Sequence, residues 1–251
     1  MYICGLDKLK MRFEIFTFIS YNILASSSLV PCKLHDPDNG ECMKTLWQNI
    51  LISGINDVPG LKWISLDPYK VKRVKVTANT SVLNVTMEFK KLVLTGLIQS
   101  KIEKVSVTNG EIFTMDMKIP KVNIKGNYIM KGNVLVLNLD GKGPFNIDLG
   151  DIELRFVVKS KRVSRDSEEF FEVQSVKTNV KHLGSLHVKF NNLFGDNETL
   201  TDSANDVFNQ NWHDLLGLMR PVIEEAMDAS LLDQGKKYLN KLPGRIIFSD
   251  L

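Results

Sequence analysis

The chain has 251 residues, of which 43% are hydrophobic, and its 32 Lys and Arg against 29 Asp and Glu give a formal net charge of +3. This length fits one large domain or two small ones with an ordinary globular core. The positive charge is weak and spread along the chain, which argues against a nucleic-acid-binding protein, because such proteins cluster cations on one face.

The N-terminal segment has the layout of a secretory signal peptide. Arg12 precedes a mostly apolar run at 13–24, and small residues follow at 25–28. We therefore expect residues 1–28 to be a signal peptide and residues 29–251 to form a single domain. Met11 is a more natural start than Met1, which would make residues 1–10 a mis-called extension. No other run approaches the roughly 18–20 apolar residues of a spanning helix, so we expect no stable membrane insertion.

Two of the three cysteines flank a short polar segment: Cys32 and Cys42 enclose KLHDPDNGE. A zinc site needs further ligands, and His35 is the only nearby candidate. A redox centre usually brings its cysteines together as C-x-x-C. A turn rich in Asp, Pro, Asn and Gly favours instead an extracellular disulfide, with a stabilisation of about 2–3 kcal/mol. Removal of Cys4 with the signal peptide would leave only this pair.

An amphipathic helix is predicted after the second cysteine, because apolar residues recur with helical spacing at Met43, Leu46, Trp47, Ile50 and Leu51. Gly54 is a suitable stop for this helix. The following segment, GINDVPGLKWISLDPYKV, carries Gly, Pro and Asp and is interpreted as an extended connector. The basic run KVKRVK at 70–75 alternates with valines and is interpreted as the solvated face of a strand.

From about Val71 to Phe190 the hydrophobic period changes to two, which predicts an antiparallel meander with one buried face. Its buried face is rich in Met and Phe, and flexible methionines can close on a ligand as well as on other side chains. We expect short strands that are separated by turn signals at Asn109-Gly110, Gly126-Asn127, Gly132-Asn133, Asp140-Gly141 and Gly150-Asp151.

Three sequons agree with passage through the secretory pathway and predict a glycoprotein. They begin at Asn79, Asn84 and Asn197. Each alone is a common chance match, so their weight comes from agreement with the cysteine pair.

The C-terminal segment predicts one long helix from Ser203 to about Leu239. Ser203 and Asp206 resemble a capping box, and Pro221 should bend the helix. Its length of about 54 Å exceeds the diameter of a compact domain of this size. A strongly curved sheet must therefore wrap the helix lengthwise, giving an elongated α+β fold whose interior need not fill completely.

Several segments, in order, carry a resemblance to a known family. They are PCKLHDPDNGEC, GINDVPGLKWISLDP, FKKLVLTGL, PKVNIKGNYIMKGNVLVLNLDGKGPFNIDL and FNNLFGDNETLTDSANDVFNQNW. In this order and spacing the chain resembles the insect takeout/juvenile hormone-binding protein family from Pro31 to Phe248.

The resemblance implies a fold and a function. The fold is one long helix wrapped in a curved antiparallel sheet, as in the TULIP superfamily of lipid-binding proteins. The function is that of a secreted, monomeric carrier, in haemolymph or chemosensory fluid, which holds a hydrophobic ligand in an internal tunnel. The ligand would be a terpenoid such as juvenile hormone or a fatty-acyl lipid. Members of the family are associated with chemosensation, feeding and circadian rhythm.

An enzyme is not expected, because the sequence contains no G-x-S-x-G, H-E-x-x-H or phosphate-binding loop. The four histidines are scattered, and no metal or cofactor is expected. Two alternatives to the carrier stay open: a glycosylated interaction module without ligand, and a lipid-transfer protein that works at a membrane surface, for which KVKRVK is the only hint.

Candidate ligand-binding residues are the apolar side chains expected to meet between helix and sheet. They are Trp47, Ile50, Phe89, Phe113, Met115, Tyr128, Met130, Leu135, Phe156, Phe208, Trp212, Leu216 and Met219. Any one of them is more often structural core than a ligand contact. The Tyr128 hydroxyl or a Trp N–H is a candidate for orienting an ester or epoxide.

Overall fold

The structure is a computed structural model that describes residues 29–55, 61, 64–79, 83–134 and 137–251. The predicted signal peptide, with its extension at 1–10, and Leu135 lie outside the described residues. The helices are α1 (Asn39–Ser53), α2 (Glu198–Gln210) and α3 (Trp212–Tyr238). The strands are β1 (Tyr69–Asn79), β2 (Leu83–Thr95), β3 (Lys101–Thr108), β4 (Ile112–Val134), β5 (Leu137–Arg165) and β6 (Glu168–Phe190).

The predicted disulfide between Cys32 and Cys42 is confirmed, with the two Cα atoms 5.8 Å apart. It ties the segment before α1 to the first turns of that helix. Cys32 also pairs with the C-terminal segment, since its N–H donates to the carbonyl of Ile247 at 2.9 Å and its carbonyl accepts from Ser249 N–H at 2.8 Å. Backbone hydrogen bonds of Cys32 therefore join the disulfide loop to the C-terminal segment.

The predicted helix α1 is also confirmed. Met43, Leu46 and Ile50 form its buried stripe. The helix ends at Ser53, where Gly54 is the C-cap with a φ of 72°. A positive φ suits glycine because it lacks a Cβ atom.

The described residues form a six-stranded antiparallel sheet in the order β1-β2-β4-β5-β6, with β3 also paired to β4. Residues 112–118 of β4 pair with β3, and residues 123–134 of β4 pair with β2. The strands at the two ends of this order, β1 and β6, both contact α3. The sheet is therefore curled, and the helix closes it lengthwise, as predicted.

The strands are much longer than predicted. The turn at Asn109-Gly110 is confirmed, because both residues have positive φ and they connect β3 to β4. The other four predicted turns are wrong. Gly126-Asn127 and Gly132-Asn133 lie inside β4, and Asp140-Gly141 and Gly150-Asp151 lie inside β5.

These glycines allow a neighbouring segment of backbone to come close to the strand, and they do not reverse the chain. A Cβ at Gly132, where φ is 126°, would lie 2.0 Å from the carbonyl oxygen of Asn84. A Cβ at Gly141 would lie 2.7 Å from the Cα of Leu193. Glycine inside a strand often marks such contacts and local bends, which allow long strands to coil.

The C-terminal helix begins earlier than predicted and is interrupted. Asn197, not Ser203, is the N-cap, and its Oδ1 accepts from Leu200 N–H at 3.0 Å. Ser203 lies inside α2, where its hydroxyl donates to the carbonyl of Thr199. The predicted capping box is therefore wrong; asparagine is among the strongest N-cap residues. Asn211 interrupts the helix between α2 and α3.

Candidate ligand-binding interior

The side chains of α2 bind the open edge of β6 as a neighbouring strand would. Asn205 accepts from the N–H of Phe190 at 2.9 Å and donates to its carbonyl at 2.8 Å. Asn209 makes the same pair of bonds with Val188, at 2.8 and 3.0 Å. Backbone groups that no further strand pairs are thereby satisfied.

Helix α3 continues this attachment with charged side chains. Arg220 donates to the carbonyl of Val180 at 3.0 Å, and Glu224 accepts from its N–H at 2.8 Å. Asp228 accepts from the N–H of Thr178 at 2.6 Å. The helix is therefore fixed to β6 along much of its length.

On the opposite side, α3 contacts β1, where Ser230 lies near the side chain of Tyr69. Burial is the main cause that raises the pKa of Tyr69 above its ordinary value. This contact and the β6 attachment place the helix across the mouth of the curled sheet.

One end of the interior is an aromatic cluster formed by Tyr128, Phe145, Phe190 and Phe208. The ring centroids of Tyr128 and Phe190 are 4.9 Å apart in an edge-to-face arrangement, and those of Phe145 and Phe190 are 5.8 Å apart. The Tyr128 hydroxyl donates to the carbonyl of Asn191 at 2.6 Å, and burial raises the pKa of Tyr128 to about 12. This end is packed as a solid core.

The other end is the disulfide-end cluster, formed by Cys32, Met43, Leu46, Phe171 and Phe248. Phe171 packs edge-on against Phe248 at 5.8 Å. Phe113, which lies on β4, meets Phe171 at 5.7 Å. Buried residues thus close this end as well.

Between the two ends, α3 runs along the inner face of the sheet. Its Met219 and Val222 pack against the aromatic cluster, and Met227 packs against a central cluster that includes Ile119 and Leu154. Near the end of α3, Gly235 lies against Val173. A Cβ atom added at Gly235 would lie 3.3 Å from the methyl groups of Val173.

The seam between α3 and the sheet is not close-packed. Within α3 only Gly235 is buried, so every apolar side chain of this helix keeps some accessible surface. Several of the sheet residues that face it are also only partly buried, namely Met87, Phe89, Leu94, Met115, Met117, Ile124, Ile147 and Phe156. A helix on a filled core would bury its stripe fully, because protein interiors pack like organic crystals.

The structure divides the predicted lining residues into three groups. Ile50, Tyr128, Met130 and Phe208 are buried in the packed end clusters. Partly buried residues beside the clusters are Trp47, Phe89, Phe113, Met115, Phe156 and Met219. Trp212 and Leu216 are partly exposed and belong to none of the three clusters, and Trp212 stacks on His213 at 3.6 Å.

Sequence reasoning missed several residues that face the seam. On the sheet these include Met87 and Met117, and on α3 they include Leu218 and Met227. The signal on α3 was present: Leu215, Leu218, Met219 and Val222 follow the i, i+3, i+4, i+7 spacing of one face. Trp212 and Leu216, which were predicted to line the interior, lie outside that face.

Two buried polar atoms lack a hydrogen-bond partner within the described structure, the Nε1 of Trp47 and the Oγ1 of Thr178. Thr178 is paired across the strands with Phe156, and Phe156 with Met115, so all three lie on the inner face. The Tyr128 hydroxyl, in contrast, already has a protein partner. A ligand oxygen would therefore find its open donor at Trp47 or Thr178.

The surface of the described chain bears on the other predictions. Asn79, Asn84 and Asn197 are all exposed, and Lys70, Lys72, Arg73 and Lys75 are exposed on β1, as the alternating basic run predicted. In the described ranges, no three His, Cys, Asp or Glu side chains are grouped as metal ligands. None of the helices there has the length and apolar character of a membrane span.

Comparison with protein families gives a match over most of the chain. The model of the family described as haemolymph juvenile hormone binding protein matches residues 15–249. The circadian clock-controlled protein daywake of Drosophila melanogaster is 24% identical over 241 residues, which cover 90% of this chain and 90% of that protein. Daywake of Drosophila yakuba is 24% identical over 227 residues, covering 84% and 85% of the two chains.

A solved structure shares the fold. The crystal structure of Epiphyas postvittana Takeout 1 superposes with a TM-score of 0.72 at 21% identity, and the match covers 87% of this chain and 98% of that chain. The curled antiparallel sheet with a long C-terminal helix is therefore common to both proteins.

Proposed function

Because the chain belongs to the haemolymph juvenile hormone binding protein family, we propose that it is a carrier for a hydrophobic small molecule. The ligand lies in the seam between α3 and the inner face of the sheet. The observation that carries this proposal is the incomplete burial of α3, in which only Gly235 is buried. Packed clusters at both ends leave the seam between them as the place where apolar surface remains to be covered.

The chemistry of the seam favours an elongated apolar ligand. Its walls are Met, Phe, Leu and Ile side chains, and flexible methionines adapt to different shapes. A terpenoid or fatty-acyl chain that buries about 250–300 Å² would gain roughly 6–8 kcal/mol before association costs are subtracted. This fits a ligand recognised by shape and burial more than by polar contacts.

We assign the predicted residues to two roles. The partly buried side chains contact the ligand: Trp47, Phe89, Phe113, Met115, Phe156 and Met219. The buried residues Ile50, Tyr128, Met130 and Phe208 form the closed ends. The unpaired N–H of Trp47, beside the same cluster as Phe113 and Met115, is the proposed donor to a ligand oxygen.

Secretion is part of the proposal. The disulfide supports an oxidising compartment, and the three exposed sequons support glycosylation at Asn79, Asn84 and Asn197. At Asn197 a glycan on Nδ2 leaves Oδ1 free to cap α2. Expression in insect cells, followed by mass spectrometry of the medium before and after glycosidase treatment, tests both points.

Direct detection of ligand tests the carrier function. Protein secreted from insect cells is examined by native mass spectrometry and by organic extraction, and it is then titrated with sesquiterpenoids and fatty acids. We expect a bound apolar molecule or saturable uptake. A folded protein that takes up none of these compounds would contradict the proposal and favour an interaction module without ligand.

A seam-filling variant locates the site. Met227→Trp adds volume where α3 meets the central cluster, and we expect affinity to fall by about tenfold or more because the ligand and the indole compete for space. Val207→Trp is the matched control, since Val207 lies on α2 with 37% of its surface exposed. Equal affinity of the two folded variants would place the ligand elsewhere.

A further inference from the structure

The outer face of the sheet, behind the aromatic cluster, carries an unusual charge pattern. Strand register places Lys75, Glu88, Ile129 and Lys142 in one row across four strands. Two further rows run beside it. They contain Arg73, Lys90, Asn127 and Pro144 in one case, and Lys70, Val93, Lys125, Asn146 and Lys189 in the other.

We use the name basic face for the cations of these rows, Lys70, Arg73, Lys75, Lys90, Lys125, Lys142 and Lys189. Paired residues share one side of a sheet, and their neighbours along the strands, such as Val74 and Phe89, face the interior. Rows about 7 Å apart on strands about 4.8 Å apart give a face of roughly 15 by 20 Å.

Most of these cations lack a protein counterion. Glu88 is the one acid on the three rows, and it binds Arg73 at 2.6 Å and Lys90 at 3.2 Å. The other five lysines of the basic face are exposed and form no ion pair within the described part of the chain. Along the last row, Lys70, Lys125 and Lys189 follow one another at two strands, or about 10 Å, which is close to the Debye length of about 8 Å at physiological salt, so their potentials partly add.

The other half of the same outer face is built differently. There Lys118 pairs with Glu153 at 2.9 Å, and Arg155 and Lys181 both bind Asp116, at 2.7 and 2.8 Å. Cations and carboxylates are interspersed there, and a lysine without an ion pair in the described ranges, such as Lys104, lies beside a carboxylate, such as Asp116. The basic face is therefore a local feature, which the small net charge of the whole chain conceals.

The layer on the inner side of the sheet has the opposite sign. Between Lys189 and Arg220 the sequence contains no Lys or Arg, and exposed acids lie on or beside α2 at Asp196, Glu198, Asp202 and Asp206. An anionic surface attracts one layer of such a molecule and repels the other, so the molecule turns its basic face toward that surface.

We propose that the basic face docks the protein on bilayers that carry anionic phospholipid headgroups. Lysines spread over the convex outer face of the sheet suit mobile headgroups that rearrange beneath the cations. The partly buried Ile129 and Val93 lie among them and add apolar surface. Docking uses the face opposite α3, so it leaves the seam between α3 and the sheet uncovered.

The proposed glycans do not cover this face. Asn79 and Asn84 lie opposite each other at the end of β1 and β2, two rows beyond Lys75. Four residues of strand put them about 13 Å from the nearest row of the basic face. Carbohydrate there would border the contact.

Vesicle co-sedimentation tests the proposal with the secreted protein. Partition onto phosphatidylcholine vesicles is compared with and without phosphatidylserine, at low and high salt. We expect binding that needs phosphatidylserine and disappears at high salt. The variant Lys75→Gln, Lys125→Gln, Lys142→Gln, Lys189→Gln should bind these vesicles more weakly by about tenfold or more.

The control variant removes the same charge elsewhere. Lys101→Gln, Lys104→Gln, Lys159→Gln, Lys161→Gln replaces exposed lysines without ion pairs at the other half of the sheet, and it should bind vesicles within about twofold of the parent. Equal loss in both variants, or no dependence on phosphatidylserine at low salt, would overturn the proposal. The proposal would also be overturned if the protein bound immobilised heparin but did not bind the vesicles. Thermal unfolding and uptake of an apolar ligand are measured on each variant. These measurements distinguish a loss of vesicle binding from a loss of folding and from a failure of the proposed carrier function.

Discussion

Tyr128 shows at the scale of one residue how a polar tip can belong to the core. Its hydroxyl donates to the carbonyl of Asn191 at 2.6 Å, and the residue is 2% exposed. Tyr128→Phe should lower the free energy of unfolding by about 1–2 kcal/mol, because that carbonyl loses its donor. Urea denaturation measures the loss. Ligand affinity should stay unchanged. If affinity fell while stability did not, the Tyr128 hydroxyl would be a ligand contact and not a core hydrogen bond.

Asp116 connects stability to pH. Its carboxylate accepts from two guanidinium nitrogens of Arg155, both at 2.7 Å, and from Lys181. The hydrogen bond from Arg155 is the main cause that lowers the pKa of Asp116 from 3.8 to about 2. A carboxyl whose pKa is lower in the folded state stabilises fully above its unfolded pKa, and this stabilisation is lost as the pH falls through the folded value.

We therefore expect Asp116→Asn to be less stable than the parent at about pH 5, with a difference that shrinks toward about pH 2. Urea unfolding across this range measures it. Glu103→Gln, at an exposed residue without an ion pair, is the control. A constant difference between Asp116→Asn and the parent at every pH would contradict the linkage.

At the scale of the element, the attachment of α2 to β6 depends on asparagines. Asn205 is 6% exposed and binds both the N–H and the carbonyl of Phe190. Asn205→Ala should cost about 2–4 kcal/mol, because two buried backbone groups lose their partner. Asn209→Ala removes the same pair of bonds at the partly buried Val188 and should cost less, since water can reach that site. Chemical denaturation of both variants checks this order.

The elements also show what the sequence could predict. The period of two located the region of the sheet, from about Val71 to Phe190, and the helical stripe with Gly54 located α1, because one face of each is buried. The glycines of β4 and β5 misled the prediction, since glycine marks both turns and close backbone approach. Only the neighbouring strand or loop distinguishes the two roles, as Leu193 does at Gly141.

The whole molecule is tied together at its disulfide end. Replacing Cys32 and Cys42 by serine should lower the free energy of unfolding by about 2–3 kcal/mol, from the entropy of the opened loop. Cys32 also pairs with Ile247 and Ser249, so the loss should loosen the C-terminal segment. Hydrogen exchange at Ile247 to Ser249 that rises with the stability loss would support this. Unchanged exchange there would contradict this coupling.

The candidate site could be predicted only in part at this scale. The apolar composition of the two facing layers was visible in the sequence, as was the helix that runs between them. Which apolar side chains face the seam depends on how far neighbouring side chains cover each of them. Tyr128 and Phe208 are covered by an aromatic cluster assembled from β4, β5, β6 and α2, and Met227 faces the seam only because α3 lies where β6 fixes it.

The attachment of the helices to β6 has a consequence for damaged or heated protein. Among the described strands only β5 pairs with β6, and Asn205, Asn209, Glu224 and Asp228 bind backbone groups on its other edge. When the C-terminal helices detach, a long apolar strand is left with an unpaired edge that another chain can join. Aggregation should therefore begin with loss of these helices, before the sheet itself unfolds.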